Sequence, residues 1–281
     1  MTSSRRDLIR GGLSGGFALA VLPIAETVLA TSADGLSAGD VKIATAVGEI
    51  PAYRAQPHDP KRKAPVLLVV HEIFGLHEHI KDLCRRFAKQ GYFAVAPDLF
   101  ARQGDATQIS DIKQLQQQIV SKASDAQVAG DLDATVAWAS QQPGADASRL
   151  GITGFCWGGR VSWLYAAHQP ALKAAVAWYG RVVGDKDPLH PQHPIDLVGS
   201  LKAPVLGLYG GKDQGITQES LEQMKAALRA SPNPNAKQCE FEVYPEAGHA
   251  FAADYRPSYR KEDAEDGFKR LHVWLKAHGV G

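Results

Sequence analysis

A regular alternation of strand patterns and helix patterns constrains the fold of this chain more than any other feature of its sequence. Residues 65–70 form a continuous apolar run rich in β-branched side chains, which is typical of a strand buried on both faces of a sheet. Residues 80–90 then carry apolar side chains at helical spacing and end before Gly91, and residues 92–96 are the next apolar run, ended by Pro97. Strands that alternate with helices predict a mostly parallel sheet with helices on both faces.

The alternation continues to the C-terminal end of the chain. We predict helices over residues 126–142, 157–168, 217–229 and 259–278, and strands over residues 149–154, 172–178, 205–209 and 239–244. Before the first of these elements, residues 41–45 and 49–55 are expected to form a hairpin that turns near Gly48. The sequence has no internal repeat and no long linker, so one α/β domain accounts for it.

Two segments interrupt this alternation. Residues 103–122 are polar and rich in Gln, and residues 180–199 are rich in Pro, His and Asp. Each follows a predicted strand, on the side where open α/β sheets bind their ligands. We therefore interpret both segments as insertions that line a binding site.

The N-terminal region has the pattern of an export signal. It begins with Arg5 and Arg6, and an uncharged stretch rich in Gly, Ala and Leu follows. Val28 and Ala30 are then small or medium-sized residues at the positions that a signal peptidase recognises. The pattern resembles a twin-arginine signal, which is read on proteins that fold before export. The uncharged stretch is too short and too rich in glycine for a stable membrane anchor. The alternative is an apolar helix packed on the domain, which would not need the arginine pair.

This interpretation divides the chain into a signal peptide, residues 1–30, cleaved near Ala30, and a single α/β-hydrolase domain, residues 31–281. We expect a periplasmic location and a transient partnership with the Tat export machinery. The net charge is +1, and no stretch concentrates basic residues in the way that a nucleic-acid-binding surface would. We therefore expect small molecules, and no nucleic acid, as ligands.

The segment from residue 150 to residue 160 carries the clearest chemical pattern. Gly154 and Gly158 lie two residues before and after Cys156, between a predicted strand and a predicted helix. Small residues there permit the sharp turn that lifts a nucleophile above a sheet, so the pattern is G-x-S-x-G with cysteine in place of serine. The helix N-terminus favours a thiolate. The alternative is a small buried cysteine that happens to have glycine neighbours.

Two downstream residues complete a candidate triad. Asp213 follows the strand predicted over residues 205–209, and His249 follows the strand predicted over residues 239–244. The order nucleophile, acid, histidine is that of α/β-hydrolases. We expect His249 to accept the proton of Cys156 and Asp213 to hold the imidazole in the required tautomer. Taken singly, a turn aspartate and a surface histidine are common.

Four motifs together resemble the dienelactone hydrolase family, whose members are also called carboxymethylenebutenolidases. They are Gly154-Phe155-Cys156-Trp157-Gly158-Gly159, His71-Glu72-Ile73-Phe74-Gly75, Pro97-Asp98-Leu99-Phe100-Ala101-Arg102 and Ala247-Gly248-His249-Ala250-Phe251. The resemblance implies an α/β-hydrolase domain, a Cys-Asp-His triad, and neither a metal nor a cofactor. It also implies that Glu72 contacts the resting thiol and exchanges with it when substrate arrives.

These observations predict hydrolysis of a small lactone or carboxylic ester through a covalent thioester. The backbone N–H groups of Ile73 and Trp157 are expected to hold the oxyanion, and His249 to act as the base. An acyltransferase with the same nucleophile, or a non-catalytic binding protein on the same fold, is the alternative.

The residues expected to bind substrate depart from the family pattern. After the catalytic histidine the chain has Phe251-Ala252-Ala253 where the family has an arginine, and the next cation is Arg256. Lys113 takes the place of a second family arginine, and it lacks the bidentate fork of a guanidinium. Arg102 matches a family motif, but an arginine at this position also fits a structural role in which it holds a loop in place. We keep Arg102 and Lys113 as substrate-binding candidates.

Two groups of histidines raise the question of a metal site. The first contains His71, His77 and His79 beside Glu72, but the position four residues after His71 is Gly75, so the H-E-x-x-H spacing is not met. The second is a loose group over residues 187–196. Polar loop composition explains both groups, and we predict no metal.

Overall fold

The computed structural model describes residues 31–59 and 63–281. The predicted signal peptide, residues 1–30, lies outside the described residues. Within the described ranges, no helix is both long enough and apolar enough to cross a membrane.

The described strands form one sheet that is parallel over most of its width. Its order is β1-β2-β4-β3-β5-β6-β7-β8. The two contacts at one edge, β1 with β2 and β2 with β4, are antiparallel, and the remaining neighbours are parallel. The strands are β1 (Leu36–Thr45), β2 (Gly48–Pro57), β3 (Ala64–Val70), β4 (Phe93–Pro97), β5 (Ala145–Phe155), β6 (Leu172–Trp178), β7 (Val205–Gly210) and β8 (Glu240–Tyr244).

Helices connect the parallel strands, except for β6 and β7, whose connection contains only a 3-10 helix (Pro194–Leu197). This is the arrangement of an α/β-hydrolase fold. They are α1 (Glu78–Lys89), α2 (Ile112–Gln118), α3 (Asp125–Ser140), α4 (Trp157–His168), α5 (Gln218–Ala230), α6 (Pro234–Lys237) and α7 (Lys261–Ala277). The predicted hairpin, strands and long helices are confirmed, with ends that differ by a few residues.

The burial of the central strands explains the continuous apolar runs in the sequence. Every residue of β3 is buried. Side chains of a strand point alternately to the two faces of a sheet, so complete burial means that both faces are covered. Parallel strands also place their carboxyl ends on one edge, where β3, β5, β7 and β8 deliver the motifs containing Glu72, Cys156, Asp213 and His249.

The insertion over residues 103–122 contains a helix, α2, that the apolar pattern did not predict. Leu115 is its one buried residue, so α2 has no apolar stripe. Its start is set by Asp111, whose carboxylate accepts a hydrogen bond from the Gln114 N–H at 2.7 Å. Glutamine tolerates helix well, so a capped polar helix forms here without an amphipathic signature.

Candidate active site

Cys156 occupies a strained turn between β5 and α4. Its φ of 55° and ψ of −114° lie outside the regions that non-glycine residues favour. A Cβ at Gly158 would lie 2.5 Å from the Val70 carbonyl oxygen, and one at Gly154 would press on the Gly158 carbonyl. The chain therefore turns this sharply only because glycine stands on either side, and the strain on Cys156 costs about 1–3 kcal/mol.

Asp213 and His249 lie together at the carboxyl edge of the sheet. The His249 Nδ1 atom is 2.7 Å from one carboxylate oxygen of Asp213, Oδ2. The other oxygen, Oδ1, accepts hydrogen bonds from the backbone N–H groups of Gly215 at 2.8 Å and Ile216 at 3.1 Å. Because the loop fixes Oδ1, Oδ2 can only face the imidazole. Nδ1 thus carries a proton and Nε2 is the nitrogen available for proton transfer.

Cys156 and His249 face the same pocket and are electrostatically coupled. Burial disfavours a charged imidazole, but the charge of Cys156 and hydrogen bonds to Asp213 and Cys156 outweigh it and raise the pKa of His249 to about 10. Tyr179 closes the other side of the imidazole with a ring contact at 5.2 Å. The arrangement therefore favours a protonated His249 in this pocket.

Ile73 and Trp157, the two residues expected to form the oxyanion hole, both line this pocket. Trp157 is the first residue of α4, and its N–H has no partner in the helix. Cys156, the residue before α4, provides no side-chain cap for these groups. The Gly159 and Arg160 N–H groups both donate to the Cys156 carbonyl, at 3.0 and 3.3 Å. The Trp157 N–H therefore remains available near the sulfur, where a developing negative charge would need it.

His71 supports this wall of the pocket. Its ring stacks on Trp157 with centroids 5.4 Å apart. Its Nε2 accepts a hydrogen bond from the Leu99 N–H at 3.1 Å, and its Nδ1 donates to the Glu72 carbonyl at 2.7 Å. Burial lowers the pKa of His71 to about 4, so the ring is neutral at physiological pH. His71 therefore packs as a structural residue and holds Trp157 in place.

Glu72 is a buried carboxylate surrounded by donors and positive charge. Its Oε2 accepts a hydrogen bond from the Tyr255 hydroxyl at 2.7 Å and lies 3.5 Å from His77 Nε2 and 3.8 Å from an Arg256 nitrogen. Burial alone would raise the pKa of Glu72. The charge of Arg256 and the interactions with His77 outweigh burial and hold that pKa well below its usual value. Glu72 is thus kept ionised.

The low pKa of Glu72 makes a prediction about acid stability. A depressed carboxyl pKa stabilises the fold above its unfolded value of about 4.5, and this contribution is lost as the pH falls. We expect the free energy of unfolding to fall more steeply between about pH 5 and pH 3 in the wild type than in Glu72→Gln. The difference should be about 1.4 kcal/mol or more. Urea titrations at each pH measure it.

The matched control is Glu240→Gln, because Glu240 is an exposed residue on β8. This variant should follow the wild-type pH profile. A Glu72→Gln profile parallel to the wild type would show that Glu72 is not held ionised by its neighbours.

The pocket above Cys156 has a volume of about 310 Å³ and receives residues from both insertions. Gln116, Val120 and Ser121 come from the first insertion, and Arg181, Asp185, Asp187, His190 and His193 come from the second. Both predicted insertions therefore line the pocket that contains Cys156. Arg160 also lines the pocket, but both its terminal nitrogens are bound to Asp125, at 2.6 and 2.8 Å.

The two substrate-binding candidates from the sequence are not among the described residues that line this pocket. Arg102 donates to Asp131, at 2.8 Å in one of two bonds, and to the Thr45 hydroxyl at 2.7 Å, so it ties β1 to α3. Lys113 is exposed on α2. Sequence reasoning missed Arg181, which is exposed at the pocket and has no ion-pair partner within the described ranges.

The histidines considered as metal ligands have other partners. His79 Nδ1 is 3.2 Å from Asp254, and His190 contacts Asp187 at 2.9 Å and the Ala123 carbonyl at 3.0 Å. In residues 31–59 and 63–281 no three His, Cys, Asp or Glu side chains are grouped in a way that could hold a metal ion.

Comparison with known proteins relates the chain to one family. A sequence model of the dienelactone hydrolase family matches residues 50–279. The chain is 60% identical to a provisionally named carboxymethylenebutenolidase of Methylorubrum extorquens over 280 residues, which cover 99% of this chain and 94% of that protein. It is 53% identical to a provisionally named carboxymethylenebutenolidase of Escherichia coli over 264 residues, covering 94% of this chain and 96% of the other.

A solved structure shares the architecture as well. The crystal structure of a provisionally named dienelactone hydrolase from Klebsiella pneumoniae superposes with a TM-score of 0.83 at 53% identity. The match covers 86% of this chain and 98% of the Klebsiella chain.

Proposed function

The chain belongs to the dienelactone hydrolase family, and from that premise we propose that it hydrolyses a small lactone or carboxylic ester through a thioester at Cys156. One observation carries the proposal: Cys156 shares a pocket with His249, whose far nitrogen is held by Asp213 at 2.7 Å. This is the relation between nucleophile, base and orienting acid that acyl transfer requires.

In the first half of the reaction, the Cys156 thiolate attacks the carbonyl carbon. The N–H groups of Trp157 and Ile73 stabilise the oxyanion. When the carbonyl re-forms, the C–O bond breaks and protonated His249 gives its proton to the leaving oxygen. The products are a thioester on Cys156 and a hydroxyl group, which stays on the acyl chain when the substrate is a lactone.

Acylation itself prepares His249 for the second half. The charge of Cys156 is a main reason for the raised pKa of His249. The thioester sulfur carries no charge and no longer offsets the effect of burial, so the pKa of His249 falls. His249 thereby becomes a base that takes a proton from water. The resulting hydroxide attacks the thioester, the C–S bond breaks, and the carboxylic acid leaves with the Cys156 thiolate restored.

We assign Glu72 the exchange with the thiol that the family resemblance implies. Tyr255, His77 and Arg256 all meet Oε2 of Glu72, so Oε1 is the oxygen that we assign to Cys156. In this scheme the positive surroundings of Glu72 keep it ionised, so that it accepts the hydrogen bond of the resting thiol. When a substrate displaces the sulfur from Glu72, His249 takes the thiol proton.

The experiment that tests this function is a panel of small esters and lactones, with acid release measured for the wild type and for Cys156→Ala. An added alcohol acceptor distinguishes hydrolysis from acyl transfer, because an acyltransferase would form the new ester in place of the acid. Binding without turnover across the panel would favour a non-catalytic protein on this fold.

We propose that Arg181 selects substrates with a carboxylate distant from the scissile bond. Arg160 is committed to Asp125, and Asp187 is paired with His190, which leaves Arg181 as a cation on the rim of the pocket. Arg181→Gln should raise KM roughly 3- to 10-fold for an ester that carries such a carboxylate, and leave kcat unchanged. A neutral ester of the same shape should show no change. Steady-state kinetics on the two esters measure this.

Lys113→Gln is the matched control, since Lys113 is exposed on α2 outside the pocket lining. It should leave KM for both esters unaltered. If Lys113→Gln weakened binding of the charged ester and Arg181→Gln did not, the substrate-binding role expected for Lys113 would replace the one proposed for Arg181.

We also propose that the protein is exported to the periplasm by the Tat machinery. The support is the order of paired arginines, uncharged stretch and small residues within residues 1–30. Export after folding would deliver an intact thiol enzyme, since the fold needs no disulfide: Cys84, Cys156 and Cys239 are all free.

A further inference from the structure

We infer that export processing cuts the peptide bond between Ala30 and Thr31, and that Asp82 receives the α-ammonium group which this cut creates. The inference rests on the export proposed above and is independent of the acyl chemistry.

The observation behind it is a direct contact between Thr31 and helix α1. The backbone nitrogen of Thr31 lies 2.5 Å from Asp82 Oδ1, and its hydroxyl lies 3.3 Å from Asp82 Oδ2. The Asp82 side chain is fully buried, with 0% exposure. The residue at the predicted cleavage point is thus docked by its backbone nitrogen on a carboxylate inside the domain.

Asp82 has two further partners, and both are shared. The Arg86 Nε atom lies 2.6 Å from Oδ2, but the same guanidinium also binds Asp254. An Arg85 nitrogen lies 3.2 Å from Oδ1, and Arg85 also donates to the Tyr53 hydroxyl at 3.0 Å. A buried carboxylate is stable only when opposite charge and hydrogen bonds compensate its lost hydration. Neither arginine is committed to Asp82 alone, so a further cation at Thr31 would add to the compensation of the Asp82 charge.

Cleavage before Thr31 converts its nitrogen from an amide into that cation. The bond between Ala30 and Thr31 is hydrolysed, the carboxylate leaves with Ala30, and the new amine on Thr31 takes up a proton because its usual pKa is about 8. The charge of this ammonium adds Coulomb attraction to a hydrogen bond whose acceptor is already ionised. The processed chain thus gains an ion pair where the precursor has only an amide hydrogen bond.

The same contact distinguishes this bond from a neighbouring one. Ala33 also follows small residues, so a cut after Ala33 would satisfy a signal peptidase equally well. That cut would remove Thr31 and leave Asp82 without its third donor. The Leu36 N–H donates to the Ala33 carbonyl at 2.9 Å in the turn that leads into β1, which places Ala33 within the folded domain.

The first experiment uses the full-length chain in a bacterium with a Tat pathway. Mass spectrometry of the periplasmic product should give Thr31 as its first residue, and the variant Arg5→Lys with Arg6→Lys should stay in the cytoplasm as precursor. A periplasmic product that begins at Asp34, or at any other residue, overturns the inference and leaves export standing. Failure of export overturns both, and ester hydrolysis by the same sample reports separately on the proposed enzyme function.

The second experiment tests the role of Asp82 in the processed protein. Amine-reactive labelling near pH 7, read by mass spectrometry of the N-terminal peptide, should be roughly tenfold slower for folded protein than for protein in urea, because an ion pair that raises the pKa by one unit lowers the reactive amine tenfold. Asp82→Asn should lose this protection. The control is Asp34→Asn, because Asp34 is exposed and its carboxylate binds Ser32. This variant should keep the protection of the amine. Equal labelling of folded and unfolded wild type would overturn the role of Asp82, and this comparison holds even if Asp82→Asn does not fold.

Discussion

Replacing Cys156 with alanine should lower acid release from every active ester or lactone by about a thousandfold or more while the protein stays folded. The sulfur is the atom that we propose forms and breaks the covalent bond, and no other thiol lines the pocket among the described residues. Alanine has the same backbone restrictions as cysteine at a φ of 55°, so the strained turn is neither relieved nor worsened. Losing a nucleophile without losing structure reduces kcat and leaves the free energy of unfolding within about 1 kcal/mol.

Cys239→Ala is the control for this variant. Cys239 is a free thiol that accepts a hydrogen bond from the Val205 N–H at 3.3 Å, and burial raises its pKa to about 12. A thiol of that kind is a poor nucleophile, so Cys239→Ala should keep full turnover. Undiminished turnover by Cys156→Ala, measured with the same substrates, would remove the thioester mechanism.

Cys156→Ser separates the thiol from its position. Serine keeps the turn and the proton but has no easily ionised sulfur, and the raised pKa of His249 depends on the charge of Cys156. The serine variant should therefore recover little of the activity.

The sequence was sufficient for those parts of the fold that depend on local patterns. Helix α4 and strand β6 begin and end at the predicted residues, since an apolar run and a glycine-bounded turn mark their ends. Helix α2 escaped prediction because its stability comes from a cap and one buried leucine rather than from an apolar stripe.

For the candidate site, the order of the residues along the chain predicted their positions in the fold better than their spacing did. Cys156, Asp213 and His249 each follow a strand, and parallel strands bring such positions to one edge; their catalytic roles stay predictions. The partners of Glu72 could not be predicted, because Tyr255 lies 183 residues away and reaches Glu72 only through tertiary packing. Arg102 shows the same limit, since its bonds to Asp131 and Thr45 join elements that are distant in sequence.

The turn at Cys156 also makes a prediction about stability. A Cβ at Gly154 would meet the carbonyl oxygen and carbon of Gly158, which are backbone atoms of the first turn of α4, and the Ser162 hydroxyl at 2.8 Å. Backbone atoms cannot change rotamer, so α4 would have to move away from β5. Gly154→Ala should therefore destabilise the protein by about 3 kcal/mol or more and displace Cys156 from the pocket. Thermal unfolding and acid release measure the two effects.

Gly130→Ala is the same substitution at another position, and we expect it to have the opposite effect on stability. Gly130 lies inside α3, and a Cβ there would meet nothing within 4 Å. Alanine restricts the unfolded chain and suits a helix, so this variant should gain about 0.5–1 kcal/mol and keep its activity. If Gly154→Ala unfolded at the wild-type temperature, the glycines around Cys156 would not be needed for the turn. The backbone contact between β5 and α4 would then not be what holds the sulfur above the sheet.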